Sequence, residues 1–243
     1  MRSNSCLGAV LITGATSGIG FATLKEFHRK GYFVYFTFCS SAKKAKEIEK
    51  EFRNTKSFQL DLSSNINIRS FFENLSKFNI QLDALINNAT QTKFINQEEQ
   101  DFFDEDAFLN YVQINLVSSY AMIFHARKLM THGSSVVNIA SVAAFNGVGS
   151  NIAYSASKAG IVNLTKSLSR QYKGSIRVNA VAPGLLKTKL TKEFPEKYFE
   201  NYKKSTAMGE LASAKDVSDV IVSLVCTMKF VNGQSIIVDG GCV

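Results

Sequence analysis

Ser141, Tyr154 and Lys158 are the residues whose types and spacing could do chemistry, the last two lying four positions apart. In an α-helix, residues four apart share a face, so the Lys158 ammonium would lie beneath the Tyr154 ring and its hydroxyl. A free phenol has a pKa near 10, and serving as acid or base near neutral pH requires a neighbouring positive charge. Lys158 can supply that charge, and Ser141 can donate a second hydrogen bond to any oxygen that Tyr154 protonates. Each residue also has a plain alternative: a loop cap, half-buried packing, a solvated helix lysine. It is the joint spacing that argues for a set.

Upstream lies a second motif, Thr13-Gly14-Ala15-Thr16-Ser17-Gly18-Ile19-Gly20, between an apolar run and a helical pattern. Gly14 permits a tight turn, Gly18 lets backbone approach a pyrophosphate, and Gly20 lets the helix pack on the strand, while the helix N-terminus faces the anion. Thr16 and Ser17 add hydroxyl donors. The spacing differs from GxGxxG, and a glycine-rich turn alone is weak evidence. At the end of the second strand an acidic residue would bind a ribose 2′-hydroxyl and repel a 2′-phosphate. Cys39, Ser40 and Ser41 stand there instead, with Lys43 and Lys44 close behind. Hydroxyls and cations favour NADP(H) over NAD(H), although the lysines also read as the exposed start of a helix. With such a cofactor, hydride would pass to a carbonyl carbon while Tyr154 protonates the oxygen, and the reverse would oxidise an alcohol.

The elements that must position these residues can be read from apolar runs. They recur at Ala9 to Ile12, Phe33 to Phe38, Ser57 to Leu60, Ala84 to Ile86, Val136 to Ile139, Val178 to Ala182 and Ile236 to Val238. Helix-length segments separate them, which predicts an α/β doubly wound Rossmann-type sheet, parallel and covered on both faces. The first helix should run through Lys30, with Gly31 ending it. Ser141 then falls at the carboxyl rim of the sheet, where such folds bind ligands. Only Pro183 and Pro195 occur, and no stretch resembles an interdomain linker, so residues 1–243 read as one domain. Leu185 to Ala212, rich in Lys, Glu, Phe and Tyr, is the candidate substrate lid.

Composition bounds the rest. With 243 residues, 45% hydrophobic and 20% charged, the chain can bury a sizeable core. Met1 to Leu7 holds no apolar run, and no stretch approaches a bilayer span, so a soluble cytoplasmic protein is expected. Cys6, Cys39, Cys226 and Cys242 are scattered and read as reduced thiols. The net charge of +8 is spread over helix surfaces such as Lys43, Lys44, Lys46 and Lys50. It could steer an acidic partner, but without a clustered patch nucleic acid and membrane are not expected partners. His28 and His125 read as packed or surface histidines, and no cluster suggests a metal. Met122, Phe124 and Leu129 read as helix core.

With these motifs in order, the chain resembles a short-chain dehydrogenase/reductase, from Thr13 through Gly20 to the tail Asp239-Gly240-Gly241. Asp61-Leu62 matches the position that contacts adenine, and Asn87-Asn88-Ala89 matches the family's NNAG sequence. Asn115 matches the helix asparagine that holds a water on the lysine as a proton relay. Pro183-Gly184 and Thr188, with Leu186 between them, match the segment that closes over the nicotinamide. The resemblance implies seven parallel strands, nicotinamide-linked redox chemistry and a homotetramer or homodimer. Within the family the order of motifs is most similar to 3-oxoacyl-[acyl-carrier-protein] reductases of fatty acid biosynthesis, which implies a carrier-bound substrate. Departures from the pattern are Thr90 for the NNAG glycine, Ser17 and Glu210 where arginine is common, and His132 for a basic arginine, while Lys173 keeps its charge. The acidic stretch Glu98 to Asp106 enlarges the loop after the fourth strand. The substrate is therefore open between a carrier-bound 3-oxoacyl thioester and a small ketone or hydroxylated intermediate of a specialised pathway. A non-catalytic dinucleotide sensor is the rival from another class.

Overall fold

Seven parallel strands form one sheet in the order β3-β2-β1-β4-β5-β6-β7. They span Ala9–Ile12 (β1), Phe33–Phe38 (β2), Thr55–Gln59 (β3), Leu82–Asn87 (β4), Met130–Ile139 (β5), Ile176–Pro183 (β6) and Ser235–Val238 (β7). The structure is a computed structural model that describes residues 7–95 and 104–243. Cys6 and most of the acidic stretch from Glu98 lie outside the described residues.

The helices are α1 (Gly18–Arg29), α2 (Ala42–Glu51), α3 (Asn65–Ser76), α4 (Glu105–Val112), α5 (Ser118–Ala126), α6 (Ala143–Asn146), α7 (Ile152–Gln171), α8 (Glu196–Ser205) and α9 (Ala214–Cys226). They cover both faces of the sheet. On one side α1 and α9 bury Leu24, Phe27, Val217 and Ile221 against Val10, Ile12 and Val181. On the other, α3, α5 and α7 bury Ile68, Phe71, Met122 and Leu168 against Leu11, Leu85 and Val136. The strands alternate between these two cores, as parallel strands buried on both faces must.

Strand order reverses between β1 and β4, which are direct neighbours with Leu11 opposite Leu85. The connections leave this point in opposite directions, so a crevice opens at the carboxyl ends of these strands. β5 starts six residues before the apolar run at Val136, because Thr131, His132, Gly133 and Ser134 disguise its first half. β6 starts at Ile176 and buries Arg177, whose guanidinium donates to the Leu224 carbonyl at 2.8 Å and the Val225 carbonyl at 3.2 Å. A charge is thus spent capping the last turn of α9. Helix α1 ends at Arg29, one residue short of the expected limit, with Gly31 at φ 81°. Phe124 departs from the expected core role: it is 39% exposed, and the Arg127 guanidinium lies 4.4 Å from its ring centroid. Met122 is fully buried, and Leu129 packs partly buried beneath it.

Candidate active site

The glycine turn joins β1 to α1. Gly14 and Gly18 take φ of 65° and 55°, left-handed values that side chains resist. A Cβ on Gly18 would meet only Thr188, at 3.7 Å, so the backbone there faces open cleft. Gly20 differs, because its Cβ would lie 2.5 Å from Asn88 Nδ2 and 2.7 Å from the Gly14 carbonyl oxygen. Its lack of a side chain lets α1 close onto the turn. Thr13 Oγ1 accepts from the Asn88 and Ala89 amides at 3.0 and 2.9 Å. The Asn88 carboxamide donates to the Thr13 and Gly14 carbonyls at 2.8 and 3.1 Å. Asn88 therefore spends both its donors bracing the turn.

One continuous cleft of about 580 Å³ runs along the strand ends. Gly14, Thr16, Ser17, Gly18, Ile19, Cys39, Ser40, Ser41, Asp61, Leu62, Asn88, Ala89, Ser141, Tyr154, Lys158, Pro183, Gly184, Leu186 and Thr188 all line it. Gly20 and Asn115 stand behind its wall. Lys43 and Lys44 also lie outside it, with the Lys44 ammonium 3.3 Å from the Glu47 carboxylate. Asp61 accepts from the Ser63 amide at 2.9 Å, and that bonding holds its carboxyl below the usual range. An anion-facing helix N-terminus at Gly18, a bare turn and a long cleft fit a dinucleotide.

Tyr154 and Lys158 belong to α7. Asn151 caps this helix, its side-chain oxygen accepting from the Tyr154 amide at 2.7 Å, which places Tyr154 in the first turn. The Asn151 amide group donates to the Lys93 carbonyl at 2.9 Å, tying α7 to the loop after β4. One turn on, the Lys158 ammonium lies 5.6 Å from the Tyr154 ring centroid and donates to the Ile139 carbonyl at 2.7 Å. Lys158 is only 2% exposed, and burial lowers its pKa from 10.5 to about 7. Ser141 follows the end of β5, its Oγ accepting from the Ala143 amide at 3.2 Å, and its hydroxyl lies close enough to the Tyr154 phenol to perturb it. Burial raises the Tyr154 pKa, and the neighbouring Ser141 hydroxyl acts in the opposite direction. The phenol and the serine hydroxyl are thus close enough to share one substrate oxygen.

Asn115 lies in a π-helical turn, Gln113–Val117, inserted between α4 and α5. Such insertions often mark functional sites. Its Oδ1 accepts from Thr90 Oγ1 and the Gln91 amide, both at 2.8 Å, and its Nδ2 donates to the Gln91 carbonyl at 3.0 Å and Ser157 Oγ at 3.2 Å. The carboxamide is fully satisfied. Thr90, which replaces a glycine of the family pattern, lines the cleft and turns its hydroxyl to Asn115.

The sequence reading set the substrate lid at 185–212 without naming the side chains that wall the cleft. Val148, Leu190, Phe194, Tyr198 and Tyr202 line the cleft beyond Ser141 and Tyr154. Phe194, Tyr198 and Tyr202 fall within 185–212, a segment that carries its own helix α8. Only the aromatic content of that segment hinted at their role. His132 and Lys173 lie away from this wall, near the amino end of β5 and beyond the carboxyl end of α7. Among the described residues no group of three or more His, Cys, Asp or Glu could hold a metal, and no helix is long and apolar enough to cross a membrane.

Residues 14–243 match the family model described as enoyl-(acyl carrier protein) reductase. The 3-oxoacyl-[acyl-carrier-protein] reductase FabG of Thermotoga maritima is 32% identical over 241 residues, covering 96% of each chain. The 2-dehydro-3-deoxy-D-gluconate 5-dehydrogenase of Bacillus subtilis is 33% identical over 240 residues, covering 95% of this chain and 92% of its own. Among solved structures, a short-chain dehydrogenase/reductase from Brucella melitensis, described as a glucose/ribitol dehydrogenase, superposes with a TM-score of 0.90 at 25% identity. It covers 100% of this chain and 99% of its own.

Proposed function

Since the chain belongs to the short-chain dehydrogenase/reductase family and is an oxidoreductase of alcohols and carbonyls, we propose that it uses NADP(H) to reduce a ketone to a secondary alcohol, with Ser141, Tyr154 and Lys158 as the proton-handling set. The observation that carries the proposal is Tyr154 beside Ser141, with the Lys158 ammonium 5.6 Å from its ring centroid, all three lining the cleft that begins at the glycine turn.

When bound, the reduced dinucleotide supplies hydride to the carbonyl carbon and is itself oxidised. Tyr154 gives its proton to the carbonyl oxygen as the C=O π bond breaks, and Ser141 donates a hydrogen bond to the same oxygen. Lys158 lowers the cost of the phenolate left behind. Asn115 holds the π-helical turn against Gln91 and Ser157, and in this reading it holds, through its main-chain carbonyl, a water on Lys158 that passes on the replacement proton.

The absence of an acidic residue at Cys39, Ser40 and Ser41 supports NADP(H), with the hydroxyls of Ser40 and Ser41 at the cleft as the groups available to a 2′-phosphate. Residues 185–212 act as the substrate lid of a single catalytic unit, and the assembly is a homotetramer or homodimer. The FabG relative and the charge of +8 support a carrier-bound 3-oxoacyl thioester; the aromatic outer wall favours a small ketone. Consumption of NADPH, with NADH in parallel, over acetoacetyl thioesters, simple ketones and sugar-like ketones tests the reading. Turnover with wild type and its loss in Tyr154→Phe is the expected result. A protein that binds dinucleotide equally in both forms and turns over nothing is a sensor.

A further inference from the structure

We infer that an aromatic clasp of Phe94, Phe194 and Tyr198 selects a ketone whose carbonyl adjoins a flat, uncharged ring. The inference rests on the ketone-reducing reading and names its substrate class. Phe94 comes from the loop after β4, whereas Phe194 and Tyr198 come from residues 185–212. The Phe94 centroid lies 5.0 Å from those of both Phe194 and Tyr198, at interplanar angles of 54° and 78°. Phe194 and Tyr198 face the same cleft as Ser141 and Tyr154, and Tyr198 remains 42% exposed. Phe94 backs the two lining rings from outside the cleft, and Phe194 is further held by Phe199 at 6.4 Å, so the wall they present is fixed. A flat ring entering there gains edge-to-face contacts that an alkyl chain cannot make.

Most polar groups on this side are already committed, the exception being the buried Tyr202 hydroxyl, which has no hydrogen-bond partner among the described residues. Thr92 and Ser150 hydrogen-bond each other. Gln91 Oε1 accepts from Asn110, and Asn146 Oδ1 accepts from the Val148 amide. A polyol or a carboxylate entering would lose its hydration against these walls with one hydroxyl, that of Tyr202, to replace several water contacts. Among the described lining residues the charged side chains are Asp61 beyond β3, Lys158 behind Tyr154, and Lys189, which is exposed on the rim.

The test compares kcat/KM for acetophenone, 2-octanone with the same number of carbons, and an acetoacetyl thioester. It uses NADPH and the full chain, in wild type and in Phe194→Leu and Tyr198→Leu. Saturation-transfer NMR of acetophenone on Tyr154→Phe with NADP⁺ reads binding apart from turnover. Acetophenone should exceed 2-octanone and the thioester by about tenfold, and the acetophenone-to-octanone ratio should fall by about tenfold in either leucine variant. Parity in wild type, preference for the thioester, or a ratio unmoved in both variants overturns the clasp while leaving ketone reduction standing. Ring-proton saturation without turnover of any ketone overturns ketone reduction and leaves the clasp as a ring-binding site. Neither saturation nor turnover overturns both.

Discussion

Burial of Lys158 carries a cost in stability that can be read from pH. Its pKa falls from 10.5 to about 7 through burial. Between those values the unfolded chain holds a proton at this site that the folded chain has released. Stability therefore rises with pH across the window, and below it the folded state carries the full penalty. At 1.36 kcal/mol per pH unit, linkage gives a gain of about 3 kcal/mol between roughly pH 6.5 and 9.5. Lys158→Met removes the titrating group and leaves the Ile139 carbonyl without its 2.7 Å donor, a loss of about 1 kcal/mol that does not vary with pH. Urea unfolding of the ligand-free wild type and variant at the two pH values isolates the effect, because every other titrating group cancels in the difference. The wild type should gain about 3 kcal/mol on the variant as pH rises. A gap that stays constant to within about 0.5 kcal/mol would refute the claim that burial depresses this lysine.

Binding of the anionic dinucleotide should favour the ammonium, so NADP⁺ binding near pH 8 should take up a fraction of a proton. Calorimetry in two buffers of different ionisation enthalpy measures it, and identical heats would count against the coupling. Gly20→Ala should weaken dinucleotide binding at least tenfold and lower the melting temperature, since its Cβ would meet Asn88 Nδ2 at 2.5 Å and the Gly14 carbonyl at 2.7 Å. A fluorescence titration that matches wild type would show that the turn opens freely. Cys39→Asp should shift the NADPH-to-NADH ratio of kcat/KM towards NADH by an order of magnitude, by placing a carboxylate at the end of β2; an unchanged ratio would mean that the 2′-position lies elsewhere. Thr90→Val removes one of the two donors to Asn115 Oδ1. It should cost about 1 kcal/mol of stability in urea unfolding, whereas Thr90→Ser should cost little.

Much of the molecule was legible in the chain alone, because its signals are local. Alternating apolar runs and helical segments specify a covered parallel sheet, since strands buried on both faces must be apolar throughout. The glycine turn and the Tyr154-Lys158 pair declare themselves by backbone freedom and by helical period, properties that depend on a few neighbouring residues. Strand starts were harder. β5 begins among polar residues at Met130, and β6 begins beside Arg177, whose charge is satisfied by carbonyls of α9 some fifty residues away. Tertiary packing alone decided that Asn88 braces the turn, that Thr90 faces Asn115, and that Lys158 is buried enough for its pKa to fall. It also decided that Phe94, a hundred residues away in the chain, packs against Phe194 and Tyr198, which line the cleft. Spacing along a chain reports which side chains share a helix or a strand. Which loops close over the same space follows from how the finished layers pack.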